Sequence, residues 1–181
     1  KQKTTLVSPI LRDEILNAEV SEKEHILVYQ TSETFQELPE ILKKFDKVPF
    51  KVYGIRRNLE KEIQDEYLTF CPFSEKNFIA DLASSKGVIG SAGFTLVCEA
   101  VHLGKPYLAT PVKGQFEQTL NGRYLEYLGY GMQDEELDEF SIKAFIKRID
   151  QYKRNLYGYE KKDNSELFDK LESLLKEIEN N

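Results

Sequence analysis

Residues 94–103, Phe-Thr-Leu-Val-Cys-Glu-Ala-Val-His-Leu, are apolar almost all the way round a helical wheel. They follow the short apolar run Gly87-Val88-Ile89-Gly90 across the turn Ser91-Ala92-Gly93. A strand, a tight turn and a buried helix make half of a wound α/β unit, so this stretch limits what the rest of the chain can build. Gly93, with no Cβ, allows the backbone to turn and to lie close to a ligand. The polar side chains of the helix, Thr95, Glu99 and His102, fall at i, i+4 and i+7, which is one narrow stripe.

A helix start after such a turn offers free backbone N–H groups and a partial positive charge, both suited to phosphate. Glu99 lies six residues past Gly93, about 9 Å along the axis at ~1.5 Å per residue. That is the reach from a nucleotide's diphosphate to its ribose, and a carboxylate accepts hydrogen bonds from two hydroxyls at once. The residues alone leave a second reading open, in which Thr95, Glu99 and His102 are a solvated stripe on a packed helix.

The chain has 181 residues, enough for one ordinary domain with a real core. Hydrophobic content of 40% with 31% charged residues predicts a soluble globular chain. No apolar run approaches the ~20 residues of a membrane span, and no signal segment opens the chain. A net charge of −6 opposes nucleic acid as a partner. Cys71 and Cys98 stand far apart in apolar settings and read as reduced core thiols of a cytoplasmic protein, and no Cys/His spacing predicts a metal site. The first residue is Lys1, not Met, which predicts a piece of a longer protein.

In order, residues 8–12 read as extended chain into a short helix led by Asp13 and Glu14. His25 to Gln30 is a buried strand. Thr31 to Thr34 supply a cap for a helix running to about Phe45 with Phe35, Leu38, Ile41 and Leu42 on one face. Residues 50–54 and 67–70 read as strands. Ser74 caps a helix bearing Phe78, Ile79 and Leu82, Gly104-Lys105-Pro106 ends the central helix, and residues 107–110 form another strand. A helix from Phe116 to Leu128 is expected to turn Phe116, Leu120, Tyr124 and Leu128 inward, with Glu117, Gln118 and Asn121 on its polar side. After a short strand or turn at 129–132, two amphipathic helices finish the chain, the second led by a capping box at residues 163–166.

Strands alternating with helices at this spacing predict an α/β fold, a Rossmann-like parallel sheet with helices on both faces. Ligands of such sheets bind at the carboxyl ends of the strands, where Gln30-Thr31-Ser32, residues 71–74, residues 90–93 and residues 111–118 come together.

Ser91-x-Gly93-x-x-x-x-x-Glu99-Ala100, then Gly104-x-Pro106, Pro111 and Glu117-Gln118-x-x-Asn121, resembles the donor-nucleotide signature of GT-B fold glycosyltransferases, with family 28 the nearest likeness. It spans about residues 8–133. The resemblance implies that Glu99 binds the ribose hydroxyls and that Gly93, Phe94 and Thr95 hold the diphosphate, with Ser91 where many relatives have His. It implies that Glu117 and Gln118 touch the donor sugar and that Phe73 and Ser74 meet the base, usually uracil. Ser32 is the residue carried over from the family's Gly-Gly-Ser loop. Arg12 stands in a segment like the family's Asn-Pro-Val-Arg, one residue longer, and Asn121 follows the sugar pair; both are lesser members of the set. Ser91 and Thr95 also suit plain helix capping, and Gln118 and Asn121 suit a solvent-facing helix side.

The resemblance further implies that residues 1–181 are a single domain, the C-terminal, nucleotide-sugar-binding half of a two-domain glycosyltransferase that transfers a hexosyl group. The missing N-terminal domain would bring the acceptor and the catalytic base, so no catalytic residue is expected here. The expected partner is a nucleotide-sugar donor, most simply a UDP-sugar as co-substrate, with no cofactor and no metal, since no Asp-x-Asp occurs. The expected location is cytoplasmic, with the missing domain as the route to any membrane surface. A UDP-sugar 2-epimerase-like isomerase and a non-catalytic nucleotide-binding module are the alternatives; Val97-Cys98 ahead of Glu99 counts against the first.

Overall fold

The computed structural model describes residues 4–31, 36–56 and 58–179. Its apolar runs are too short for helices and rich in β-branched and aromatic residues, so they become strands. The elements in order are α1 (Asp13–Leu16), β1 (Ile26–Tyr29), α2 (Leu38–Leu42), β2 (Phe50–Tyr53), β3 (Ile63–Asp65), β4 (Leu68–Phe70), α3 (Glu75–Ser84), β5 (Gly87–Gly90), α4 (Phe94–His102), β6 (Tyr107–Ala109), α5 (Phe116–Tyr127), β7 (Gly131–Gln133), α6 (Glu139–Leu156) and α7 (Ser165–Glu179). Among the described residues seven strands form one sheet in the order β3-β4-β2-β1-β5-β6-β7. All neighbours are parallel except β3, which runs antiparallel to β4 at the edge.

The register places Val28 between Val52 and Ile89. Alternation then sends Leu27, Val88 and Tyr107 to one face, under α3 and α4, and Ile26, Val28 and Ile89 to the other, under α2 and α6. α6 starts on a reciprocal cap in which the Ser141 N–H donates to Asp138 Oδ1 at 2.8 Å and the Asp138 N–H to Ser141 Oγ at 3.1 Å. From that start it lays Ile142, Phe145 and Ile149 into the second core.

Several expectations need correction. The helix expected from residue 34 to 45 is only Leu38–Leu42, with Pro39 in its first turn and Glu37 as an N-cap that makes no side-chain bond; its predicted start, with Ser32 and Phe35, lies outside the described residues. The antiparallel strand β3 was not expected, because Ile63-Gln64-Asp65 is a short run with one apolar residue, itself exposed, and is held by pairing at an edge. α5 faces the opposite way from its predicted orientation: Phe116, Leu120, Tyr124 and Leu128 are exposed, and Gly122 and Leu125 are buried. The reason is Gly122, where a Cβ would lie 3.1 Å from the Ala109 Cβ and 2.6 Å from Gln133 Oε1. Only a bare backbone lets α5 come so close to β6, and that contact turns the apolar row outward. The box at 163–166 does not close either. Asp163 accepts the Ser165 N–H at 3.0 Å, while Asn164 grips the backbone of Leu11 through its own amide, at 2.9 Å to the N–H and 2.8 Å to the carbonyl.

At the amino end of the sheet, Lys105 is 3% exposed and donates to the Ser21 carbonyl at 2.7 Å. Burial lowers its ammonium from 10.5 to about 8. Between those values the unfolded chain holds the proton and the folded one does not, so stability rises with pH across that window. Lys105→Met should therefore gain on the unaltered protein at about pH 7, with the gap shrinking by about pH 9.5 in urea unfolding. A gap that does not change with pH would show that Lys105 keeps its charge throughout.

Candidate functional site

The carboxyl ends of β1, β5 and β6 open onto the turn Ser91-Ala92-Gly93. Here the left-handed residue is Ala92, at φ +60 and fully buried, while Gly93 has φ −60. The expectation that Gly93 supplies the turn's conformation is corrected. A non-glycine in this region costs about 1–3 kcal/mol and persists only where its surroundings hold it. One such hold is Asn121, whose Nδ2 donates to the Ala92 carbonyl at 3.0 Å. A Cβ at Gly93 would meet nothing within 4 Å, so the space beside the turn is open. α4 then begins at Phe94 with no side-chain cap, its first turn open beside Gly93. Ser91 and Thr95, both suited by type to capping, do not cap it.

The polar stripe of α4 is exposed at Thr95 and buried beyond it. Glu99 is 2% exposed and His102 7%. Glu99 is paired by Arg12 edge to edge, with Nε to Oε1 at 2.8 Å and Nη2 to Oε2 at 2.9 Å. This hydrogen bonding raises the Arg12 guanidinium above its ordinary value. The third side of Arg12 meets Glu75, Nη1 to Oε1 at 2.5 Å. His102 has an Nδ1 without a partner among the described residues, and burial lowers its imidazole. Burial pushes the thiols of buried Cys71 and half-buried Cys98 up to about 11, as suits unreactive cysteines.

Arg12, Phe73, Thr95 and Glu99 share one pocket of about 480 Å³ with Tyr29, Glu75, Phe78 and Leu96. Tyr29 and Tyr53 both pack edge-on against Phe78, with ring centroids 5.3 and 5.1 Å apart, which gives the pocket an aromatic floor. α3 is fixed over that floor by Asp81, which accepts from Lys51 Nζ and from the Tyr53 hydroxyl, each at 2.7 Å. At the head of α3, Ser74 accepts the Asn77 N–H at 3.4 Å, so its side chain caps the helix and leaves Phe73 standing 73% exposed at the rim.

Other expected residues lie along the same edge but outside this pocket. Ser91, Gly93 and Phe94 form the open turn, with Phe94 half exposed. Gln118 accepts the Val112 N–H at 2.9 Å and so shapes the loop between β6 and α5, while Glu117 is exposed at the start of α5. That loop, residues 111–114, borders a second hollow of about 690 Å³ with Gln36, Glu37, Glu135 and Glu136. Ser32 is outside the described residues. Gln30, at the tip of β1, is buried and donates to Thr110 Oγ1 at 2.7 Å, filling the floor between β1 and β6. Sequence reading missed Tyr29, Glu75, Phe78 and Leu96. Their only signal was position, at a strand tip or in the first turns of helices that start on this edge. Among the described residues no group of three or more His, Cys, Asp or Glu could hold a metal ion, and no helix is long and apolar enough to cross a membrane.

A family model described as glycosyl transferase family 1 matches residues 1–150. The spinosyn forosaminyltransferase SpnP superposes with a TM-score of 0.66 at 16% identity, over 93% of this chain and 48% of that one. SnogD, a glycosyltransferase from Streptomyces nogalater, gives 0.56 at 15% over 94% and 47%. Os79 from O. sativa, in complex with UDP, gives 0.58 at 20% over 77% and 36%. The chain thus spans half or less of the length of each of these structures. No curated protein matches. These likenesses bear out the GT-B fold expected from the motifs, and the family 28 likeness is compatible with the matched family.

Proposed function

The chain belongs to glycosyl transferase family 1, and from that premise we propose that it is the donor-binding half of a two-domain glycosyltransferase, with a UDP-sugar as donor. The observation that carries this reading is one of placement. An uncapped helix start and a buried carboxylate five residues further on lie at one strand-end edge, beside a pocket with an aromatic floor.

In this reading the base enters against Phe73 and over Phe78, with the backbone at Phe73 and Ser74 reading its edge. The ribose meets Glu99. The diphosphate lies over Gly93, where no Cβ intrudes, and takes hydrogen bonds from the backbone of Phe94 and Thr95 with Ser91 beside them. The sugar then points toward Glu117 and Gln118. As the glycosidic bond to the nucleotide breaks, negative charge grows on the departing diphosphate, and the helix end stabilises it in place without a metal. Asn121 supports the reading as the residue that steadies the turn through the Ala92 carbonyl.

The acceptor and the base that deprotonates it belong, in this proposal, to a second domain of the same protein. Two features support that. The matched structures are about twice as long as this chain or more. Two apolar rows also stand exposed, Phe116, Leu120 and Tyr124 on α5 and Phe168, Leu171, Leu175 and Ile178 on α7. No observation on the site favours an isomerase.

Calorimetry with UDP, GDP, CDP and TDP tests the reading on the 181-residue chain. UDP should bind first in rank, and weakly, since half the cleft is supplied elsewhere. No heat from any of the four at millimolar concentration, which is about −4 kcal/mol of binding free energy, would end the donor-domain reading.

A further inference from the structure

Glu99 is the residue to which the reading above gives the ribose, and both of its oxygens are already engaged. We propose that the Arg12 guanidinium is a placeholder for the ribose diol. It holds Glu99 when no nucleotide is bound, swings away to admit one, and by competing for the carboxylate sets the demand for two ribose hydroxyls. The inference rests on Glu99 being the ribose contact.

The chemistry of the pair supports it. A guanidinium presented edge-on offers two parallel N–H donors to the two oxygens of one carboxylate, here Nε at 2.8 Å and Nη2 at 2.9 Å. A vicinal diol offers two O–H donors with nearly the same spacing to the same edge. The two cannot be seated together. The side chains are also unequally exposed, 2% for Glu99 and 37% for Arg12, and both line the pocket. Arg12 therefore stands between the carboxylate and the pocket's opening.

The guanidinium has somewhere to go. Its remaining donor, Nη1, already rests on Glu75 Oε1 at 2.5 Å, and Glu75 is 61% exposed at the rim. Arg12 can release Nε and Nη2 while that ion pair keeps its charge partnered. The backbone on either side is held, Leu11 by the two hydrogen bonds of Asn164 and Ile15 by burial to 1%. The motion is thus confined to the Arg12 side chain. A nucleotide with both hydroxyls replaces both lost hydrogen bonds, whereas one lacking them has nothing to exchange and binds without opening the pair.

Titration of UDP and of 2′,3′-dideoxy-UDP into the unaltered chain and into Arg12→Met tests this. If the open state is about one tenth of the population, Arg12→Met binds UDP about tenfold tighter, while its affinity for the dideoxy compound does not change. Unchanged or weaker UDP binding by a folded Arg12→Met overturns the placeholder and makes Arg12 a direct or positioning contact, with the donor-site reading intact. Absence of binding by both proteins to either compound fails the donor-site reading itself. Because Arg12→Met leaves a buried carboxylate unpaired and its folding is at risk, a second measurement uses the unaltered chain. The Arg12 Nε–H resonance should be protected from exchange without nucleotide and lose that protection at saturating UDP. Protection that survives saturation overturns the proposal.

Discussion

Glu99→Ala is expected to weaken UDP binding at least about tenfold while shifting the melting temperature by no more than ~5 °C. Hydrogen bonds to a charged group contribute about 1.5–3 kcal/mol each, and the diol would lose two of them. Part of that loss is offset, since Arg12 no longer competes, so the lower end of the range applies. The fold is spared because the pair is asymmetric. Removing Glu99 leaves a guanidinium that is 37% exposed and still meets Glu75, so it is rehydrated at little cost. Removing Arg12 instead strands a carboxylate at 2% exposure, and the penalty for a buried unpaired charge follows. Calorimetry beside thermal melts separates the two effects. An undiminished affinity in a folded Glu99→Ala protein would place the nucleotide elsewhere.

Gly131→Ala is expected to be the more damaging change to the fold. Gly131 pairs with Tyr107 in the parallel register of β6 and β7, and a Cβ there would overlap the Tyr107 carbonyl oxygen and lie 2.8 Å from its carbon. The obstacle is backbone in the neighbouring strand, so no side chain can rotate to relieve it. β7 must separate from β6, and α5 and α6, which both pack on β7, lose their footing. Overpacking of this kind costs about 3 kcal/mol or more, the upper end of the usual range. In urea that is a midpoint lower by roughly 1 M or more. Gly93→Ala is the control, because φ −60 suits alanine and nothing lies within 4 Å. Equal midpoints for Gly131→Ala and the unaltered chain would mean the strands do not approach as described.

The parallel strands and the central helix were legible in the sequence because their signals are local. Val88-Ile89 and Ile26 to Tyr29 are β-rich runs of strand length, and Ser74 and Gly104 punctuate their helices. Orientation was less legible. The spacing of Phe116, Leu120 and Tyr124 describes an apolar row on α5, but spacing cannot say which side meets the sheet, and the close approach at Gly122 decided that. β3 was hidden for a related reason. A triplet with no buried residue becomes a strand only because β4 offers a free edge, which is a property of the assembled sheet. At the site, Glu99 stood out as an ionisable residue on an apolar helix. Its partner could not be found that way, because Arg12 is 87 residues distant and only folding brings them together. The left-handed conformation at Ala92 was illegible too, since the adjacent Gly93 looked like the residue made for it.

The grip of Asn164 on Leu11 joins points 153 residues apart, so the chain enters and leaves its sheet-bearing body at one place. Tension applied through residues 8 and 165 would be borne first by those two hydrogen bonds, together with the Ser8 to Glu166 contact, and the sheet would carry no load. Once they parted, the next link strained would be the salt bridge one residue further along, between Arg12 and Glu99. In mechanical terms the pocket's wall is hung from the stem of the domain, and a pull on the stem reaches the pocket before it reaches the core.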